Sequence, residues 1–132
     1  MPWRKDIRLH SYNISRDAYR ELLYFCRQYD DKRQSLQEIR SLNVKAQTGM
    51  PRGNATSDPT AQAAERAARL SADCDMIEQA AKEADPDIAR HILLNVTRGA
   101  SYYAMDVPAS ESTFNRARRR FYYILAKKRG MI

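Results

Sequence analysis

The sequence predicts an all-α fold, and three observations support this prediction. Charged residues make up 30% of the 132 residues, whereas glycine occurs only 4 times, which leaves little turn chemistry for a sheet. Apolar residues recur at alternating steps of four and three in two long segments, which is the spacing of a helical face. Residues typical of helix starts precede these segments. The length suits one small domain, or a small domain with a helical extension.

The first long helix is predicted over residues 16–44. Ser15 precedes it as a side-chain N-cap. Its apolar residues form a seam of the kind that coiled coils use, and Lys32 fills the one place where an apolar residue is missing. The members of the seam are Ala18, Leu22, Phe25, Tyr29, Leu36 and Ile39.

The second long helix is predicted over residues 60–84, after a cap formed by Ser57, Asp58 and Pro59. Its seam consists mainly of small residues, which let another helix approach closely. The members of this second seam are Ala63, Ala67, Leu70, Cys74, Ile77, Ala81 and Ala84.

The two long helices are separated by residues 45–59, where glycine, proline and asparagine predict a flexible loop. We expect the helices to form a long helical hairpin or a coiled-coil-like pair in an N-terminal region, residues 1–84. Pairing within one chain and pairing with the same helices of another subunit are both compatible with the pattern. A homo-oligomer, in the simplest case a dimer, is therefore an open alternative.

The C-terminal region, residues 85–132, carries the signals of three shorter helices. The first begins at the Asp85-Pro86 pair and ends at Gly99. A helix of barely two turns is predicted next over SYYAMD, followed by a turn that contains Pro108. The last helix is predicted to start with Ser110 as N-cap and to run to residue 128.

Positive charge is concentrated in this last helix. Residues 110–132 contain seven basic side chains and one acidic one, net +6, whereas residues 1–109 contain 16 basic and 15 acidic ones, net +1. Four arginines and no carboxylate lie between positions 116 and 120, and like charges at neighbouring positions destabilise an isolated helix. An anion would relieve this repulsion, and arginine suits bidentate contacts with phosphate or guanine.

The last helix also has two different sides at about 100° per residue. Phe114, Ala117, Phe121, Leu125 and Arg118 share one side, which Ile124 extends, and we expect this side to be core. The opposite side is a cationic stripe. Its members are Ser112, Arg116, Arg119, Arg120, Tyr123 and Lys127.

Layout and charge together indicate a tri-helical helix-turn-helix whose last helix lies in the major groove of double-stranded DNA. Asn suits adenine, Arg suits guanine, Glu accepts from cytosine, and Ser contacts bases or phosphates. We therefore predict these base-reading residues: Ser110, Glu111, Ser112, Asn115, Arg116 and Arg119. One of Tyr102 and Tyr103 is expected in the core and the other on a phosphate. The predicted phosphate-binding residues are Arg118, Arg120, Lys127, Lys128, Arg129 and Tyr102.

Several alternatives to a DNA-binding regulator remain. The cationic stripe is also compatible with an ordinary solvated face, a membrane surface or an acidic protein partner. A small terminase-like DNA-packaging protein, or another oligomeric assembly protein, would combine a helix-turn-helix with an oligomerising helical pair. A third alternative is an interaction module whose seam helices bind a partner protein.

An enzyme is not expected, because no catalytic, metal-binding or cofactor-binding motif is present. Cys26 and Cys74 are too few and too far apart for a disulfide framework or a cysteine-based zinc site, and they favour burial in a reducing cytoplasm. His10 and His91 have no carboxylate or cysteine at ligand spacing. No window approaches the roughly 18 apolar residues that span a bilayer, and the first residues lack the apolar core of a signal peptide.

Two segments, GMPRGNATSDPT and ILLNVTRGASYYAMDVPASESTFNRARRRFYYILA, resemble phage-encoded transcriptional regulators of the RinA and ArpU type. This family is found on prophages and mobile elements of Gram-positive bacteria. The resemblance implies a helix-turn-helix similar to the promoter-binding region 4 of sigma factors, a role in transcription regulation, and a contact with RNA polymerase. The residues that match the family's recognition-helix pattern are Ser110, Thr113, Phe114, Arg118 and Arg120.

Overall fold

The structure is a computed structural model that describes residues 9–48 and 57–132. These residues form helices and connecting turns with no β-strand, so the all-α prediction is confirmed. The α-helices are α1 (Arg16–Arg27), α2 (Tyr29–Thr48), α3 (Ser57–Ala84), α4 (Ala89–Arg98) and α5 (Glu111–Lys128). Single turns of 3-10 helix occur at His10–Tyr12 and Tyr102–Ala104. Residues 1–8 and residues 49–56 of the predicted flexible loop lie outside the described residues, whereas residues 45–48 and 57–59 of that loop belong to α2 and α3.

The helices group differently from the predicted boundary at residue 84. Residues 9–28 and 76–132 form one compact unit, and residues 29–48 and 57–75 form a second one. The first unit contains α1 because α1 packs on both α4 and α5, which also pack on each other. We call this first unit the three-helix unit.

The predicted helix over residues 16–44 is two helices, separated at Gln28. Ser15 caps α1 as predicted, since its Oγ accepts a hydrogen bond of 3.1 Å from the backbone N–H of Ala18. At the other end, the N–H of Gln28 donates to the carbonyl of Phe25 at 3.3 Å, in a tightened last turn. The apolar pattern runs through Gln28 without a change of phase, which is why periodicity alone does not reveal the break.

The second unit contains α2 and the N-terminal part of α3. Leu36 and Ile39, two seam residues of α2, are buried. Lys32, which interrupts that seam, places its Nζ 2.8 Å from Oδ2 of Asp73 in α3. The one charged residue in the seam of α2 therefore forms an ion pair with a carboxylate of α3. Cys74 is a buried free thiol that lies 4.0 Å from the carbonyl oxygen of Tyr29.

Helix α4 begins later than predicted and ends where predicted. Oδ1 of Asp85 accepts a hydrogen bond of 3.0 Å from the N–H of Asp87, so the Asp-Pro pair lies in a turn ahead of the helix. Gly99 ends α4 with a φ of 74°, and its N–H donates to the carbonyl of Asn95 at 2.8 Å. Ile88, which precedes α4, and Ile92 and Val96 within it are spaced four apart and are buried.

The predicted two-turn helix over SYYAMD is a single 3-10 turn, Tyr102–Ala104. Ser101 caps it through a hydrogen bond of 3.2 Å from the N–H of Ala104 to its Oγ. Helix nucleation is costly, and Pro108 follows too soon for further helical hydrogen bonds to repay that cost. The second of the three helical elements is therefore about one turn shorter than predicted.

Aromatic side chains of α1 and α5 form the centre of the three-helix unit. The rings of Tyr19 and Tyr122 meet edge to face at 5.1 Å, and Phe121 packs on Tyr122 at the same centroid distance. Tyr122 is 0% exposed, and its hydroxyl has no hydrogen-bond partner among the described residues. Burial raises the pKa of Tyr122 well above its ordinary value of 10.0.

Removing the Tyr122 hydroxyl is expected to stabilise the protein. A buried hydroxyl without a partner costs free energy, so Tyr122→Phe should raise the free energy of unfolding by about 1 kcal/mol. The matched variant is Tyr102→Phe, which removes a hydroxyl that donates to the carbonyl of Ala109 at 2.6 Å and should lower stability by about 1 kcal/mol. Urea unfolding measures both. A loss of stability in Tyr122→Phe would contradict this description of the core.

Candidate nucleic-acid interface

Helix α5 begins at a side-chain cap, as its sequence predicts. Oγ of Ser110 accepts a hydrogen bond of 3.2 Å from the N–H of Thr113 and donates to the Thr113 hydroxyl at 2.9 Å. The carbonyl of Ser110 accepts from the N–H of Phe114 at 2.9 Å, which closes the first helical turn. The cap therefore fixes where the helix starts.

One side of α5 is mostly buried, with Arg118 and Ile124 half-buried, and this burial fixes the rotation of the helix about its axis. The predicted core residues Phe114, Ala117, Phe121 and Leu125 are all buried. Tyr122 and Ala126, which the sequence analysis did not assign to the core, are buried as well. Since α5 contacts both α1 and α4, its core is wider than a single stripe.

The first half of α5 presents three predicted base-reading residues away from that core. Ser112 and Arg116 are exposed, and Arg119 is half-buried. The side chains of Arg116 and Arg119 form no hydrogen bond or ion pair with any residue that the structure describes. Their guanidinium donors therefore have no acceptor within that part of the chain.

The second half of the cationic stripe is partly covered. Tyr12, in the first 3-10 turn, packs on Tyr123 with ring centroids 4.8 Å apart. Nζ of Lys127 lies 5.2 Å from the centroid of the Tyr123 ring, while Lys127 as a whole stays exposed. Tyr123 is thus half-buried, and the open part of the stripe is the part near the start of the helix.

Three of the predicted phosphate-binding cations form contacts with other residues of the three-helix unit. Arg120 donates twice to the carbonyl of Ala84, from Nε at 2.9 Å and from a terminal nitrogen at 2.7 Å, so it caps the C-terminal end of α3. Lys128 lies 2.6 Å from a carboxylate oxygen of Glu83. These contacts give Arg120 and Lys128 a role in packing.

Arg129 contacts two residues of α1. Its guanidinium carbon lies 3.9 Å from the centre of the Phe25 ring, and a terminal nitrogen lies 3.9 Å from a carboxylate oxygen of Glu21. The stacking geometry is that of a cation–π contact, which suits the planar guanidinium group. Arg129 therefore joins the end of α5 to α1.

The contacts of Tyr102 and Ser110 also differ from their predicted roles. Tyr102 is half-buried against Phe114. Its hydroxyl donates its one hydrogen bond to the carbonyl of Ala109, so the side chain has no further donor for a phosphate. The Ser110 hydroxyl is used by the helix cap. In this structure Arg120, Lys128, Arg129, Tyr102 and Ser110 have contacts within the fold, and their contacts with DNA stay a prediction.

Arg118 and Asn115 lie at the edge between core and solvent. Arg118 is half-buried, with its guanidinium carbon 6.0 Å from the centre of the Phe114 ring and its Nε buried without a partner. A terminal nitrogen lies 3.5 Å from Oδ1 of Asn115, at the limit of a hydrogen bond. Both side chains keep polar groups at the border of the open surface.

Glu111 has a hydrogen-bond partner that the sequence pattern does not predict. The hydroxyl of Tyr103 donates to Oε1 of Glu111 at 2.6 Å. Both residues are exposed. They are separated by eight positions and by a turn, so no periodic signal in one sequence connects them.

The described residues contain no group of three or more His, Cys, Asp or Glu side chains that could hold a metal ion. The two cysteines are buried free thiols. Among the helices described, none is long and apolar enough to cross a membrane.

The structure divides the cations of α5 into two groups that stability measurements can distinguish. Arg120→Ala removes two charge-assisted hydrogen bonds to the Ala84 carbonyl and should lower the free energy of unfolding by about 1–2 kcal/mol. Arg116→Ala, the matched control, should change it by less than about 0.5 kcal/mol. Equal effects of the two substitutions on thermal unfolding would contradict the division.

Comparison with protein-family models, with curated proteins and with solved structures returned no match to this chain.

Proposed function

We propose that this chain is a sequence-specific DNA-binding transcriptional regulator of phage or mobile-element type, with the first half of α5 in the major groove. One observation carries the proposal. Arg116 and Arg119 lie on the side of α5 away from its core, without an acceptor among the described residues. Guanidinium groups in this situation suit bidentate contacts with guanine or phosphate.

The charge distribution supports an anionic partner at this half of the helix. Arg120, Lys128 and Arg129 each contact a carbonyl or carboxylate oxygen within the three-helix unit. No such contact offsets the charges of Arg116 and Arg119 within the described chain. Repulsion therefore remains where the helix is open, and a phosphate backbone would relieve it.

The order of elements supports a helix-turn-helix variant. Helix α4 is followed by the Tyr102–Ala104 turn and then by the longer α5. The single 3-10 turn takes the place of the expected second helix, and Tyr102 fixes its connection to α5 through the Ala109 carbonyl. In such motifs the first turns of the last helix meet base edges. Glu111, Ser112, Asn115, Arg116 and Arg119 are the base-reading residues that we retain.

The regulatory part of the proposal rests on the resemblance to RinA and ArpU regulators. A promoter-binding module similar to region 4 of sigma factors would bring the chain beside RNA polymerase, so a contact with the polymerase belongs to the proposal. The matching residues Thr113 and Phe114 have structural roles here, in the cap and in the core.

A second copy of the chain is the partner that we propose for α2 and α3. In the second unit, Ala63, Ala67 and Leu70 are only half-buried, and Leu42 is 64% exposed. Ala63, Ala67 and Leu70 belong to the predicted seam of α3, and pairing with a second copy would remove them and Leu42 from water. A dimer also suits regulators that bind two half-sites.

The salt dependence of DNA binding tests the proposal. Arg116, Arg118, Arg119 and Lys127 remain available to DNA, and about four contacts predict a slope of roughly −3 to −4 for log affinity against log salt. This is shallower than the slope of roughly −6 that all seven cations of residues 110–132 would predict. Fluorescence anisotropy with labelled genomic duplexes at graded salt measures the slope. An affinity that does not change with salt would contradict DNA binding.

Substitutions should separate base reading from phosphate binding. Arg116→Ala or Arg119→Ala should lower affinity for a selected site by about 1–3 kcal/mol and relax its base preference. Lys127→Ala should weaken binding to all sequences alike and reduce the salt slope by about one. Lys82→Ala removes an exposed positive charge from α3 and is the matched control. An effect of Lys82→Ala equal to that of Arg116→Ala would show that only net charge matters.

The proposed dimer is tested by sedimentation equilibrium. Leu42→Glu replaces the exposed leucine of α2 with a charged residue and should convert dimers to monomers. Gln37→Glu adds the same charge at another exposed position of α2 and should leave the dimer intact. A wild-type chain that is monomeric at micromolar concentrations would contradict the dimer, and a ring of many subunits would favour an assembly protein.

A further inference from the structure

Tyr103 is the most exposed large aromatic side chain at the start of α5, yet it is held in place. It is 73% exposed. Its ring meets the ring of Tyr102 edge to face at a centroid distance of 5.3 Å, and its hydroxyl donates to Oε1 of Glu111 at 2.6 Å. Tyr102 is in turn fixed by Phe114 and by the Ala109 carbonyl. A chain of contacts therefore leads from the core to the Glu111 carboxylate.

The hydrogen bond between Tyr103 and Glu111 restricts the orientation of the Glu111 side chain more than it stabilises the fold. Exposed hydrogen bonds contribute little to stability, because water replaces either partner at small cost. A glutamate side chain on the first turn of a helix is otherwise free to adopt several rotamers. With one carboxylate oxygen bound to Tyr103, the position of the other oxygen is restricted.

A carboxylate fixed at this position would discriminate among bases. An ionised carboxylate only accepts hydrogen bonds, and cytosine presents an amino donor in the major groove. Guanine presents two acceptors there and thymine presents a carbonyl oxygen, so both would be disfavoured beside Glu111. How strongly they are disfavoured depends on how well the carboxylate is held, since a mobile side chain can turn away.

We propose that Tyr103 is a specificity-determining positioning residue, which acts through Glu111 and makes α5 select cytosine over guanine and thymine at one position of its DNA site. This inference rests on the proposed DNA-binding function. It adds to that function a residue outside α5 and a stated base preference.

The hydrogen bond can be verified in the free protein. Donation to the Glu111 carboxylate raises the pKa of Tyr103 above its ordinary value of 10.0, and the negative charge of that carboxylate acts in the same direction. In Glu111→Gln the pKa of Tyr103 should therefore fall toward the ordinary value. Carbon-13 NMR of the tyrosine ring carbons, followed through an alkaline titration, measures this change. An unchanged titration of Tyr103 would overturn the inference without bearing on DNA binding.

Base preference is tested by selecting sites from a randomised duplex library with the full chain. The variants are Tyr103→Phe, Glu111→Gln and the double substitution. Tyr103→Phe should reduce discrimination against guanine and thymine at one position by about fivefold, while affinity for unselected DNA stays the same. Tyr24→Phe is the matched control, because Tyr24 is also an exposed tyrosine, at 62%, and its hydroxyl has no partner among the described residues.

The double variant decides how Tyr103 acts. If Tyr103 works through Glu111, the double variant and Glu111→Gln will show the same preference, because the two effects are not additive. A further loss in the double variant would mean that Tyr103 contacts DNA directly and would overturn the positioning role. Unchanged selection by Tyr103→Phe would overturn the inference and leave the proposed function intact. Absence of DNA binding by the wild-type chain would overturn both.

Discussion

The burial of one side of α5 against α1 and α4 is the constraint on which the rest of the three-helix unit depends. Phe114 and Phe121 are almost completely removed from water, so rotation of the helix about its axis would expose large aromatic surfaces. The direction in which every other side chain of α5 points follows from this packing. Because the aromatic residues occupy the buried side, Arg116 and Arg119 lie on the other side of the helix, where a partner can bind them.

The cations of α5 have different roles because their neighbours differ. Arg120 meets the carbonyl at the end of α3, and Arg129 meets an aromatic ring and a carboxylate of α1. Both contacts hold the second half of α5 in the fold. The first half has a cap and a core but, within the described parts of the chain, no acceptor for Arg116 and Arg119, which is the arrangement expected of a surface that binds a polyanion. The same arginine-rich sequence therefore serves stability at one end of the helix and, as we propose, recognition at the other.

Local features were predictable from the sequence, and contacts between distant residues were not. The caps at Ser15 and Ser110 and the stop at Gly99 depend on a few adjacent residues, and all three were predicted correctly. The burial of Phe114, Ala117, Phe121 and Leu125 followed from the period of α5, whereas the burial of Tyr122 and Ala126 did not. The break at Gln28 was missed because the apolar pattern continues through it. The contacts of Arg120 and Tyr102 within the fold were not predicted, because their partners are the backbone carbonyls of Ala84 and Ala109, which no side-chain pattern reveals. Charge alone could not separate cations with internal partners from those without.

The account depends most on Arg116 and Arg119 being free to bind DNA while Arg120 and Arg129 are not. NMR of the arginine Nε–Hε signals during titration with duplex DNA measures this directly. We expect the signals of Arg116 and Arg119 to shift with added duplex and those of Arg120 and Arg129 to keep their positions. Shifts of the last two alone, or no shifts at all, would contradict the assignment of the first half of α5 as a nucleic-acid interface.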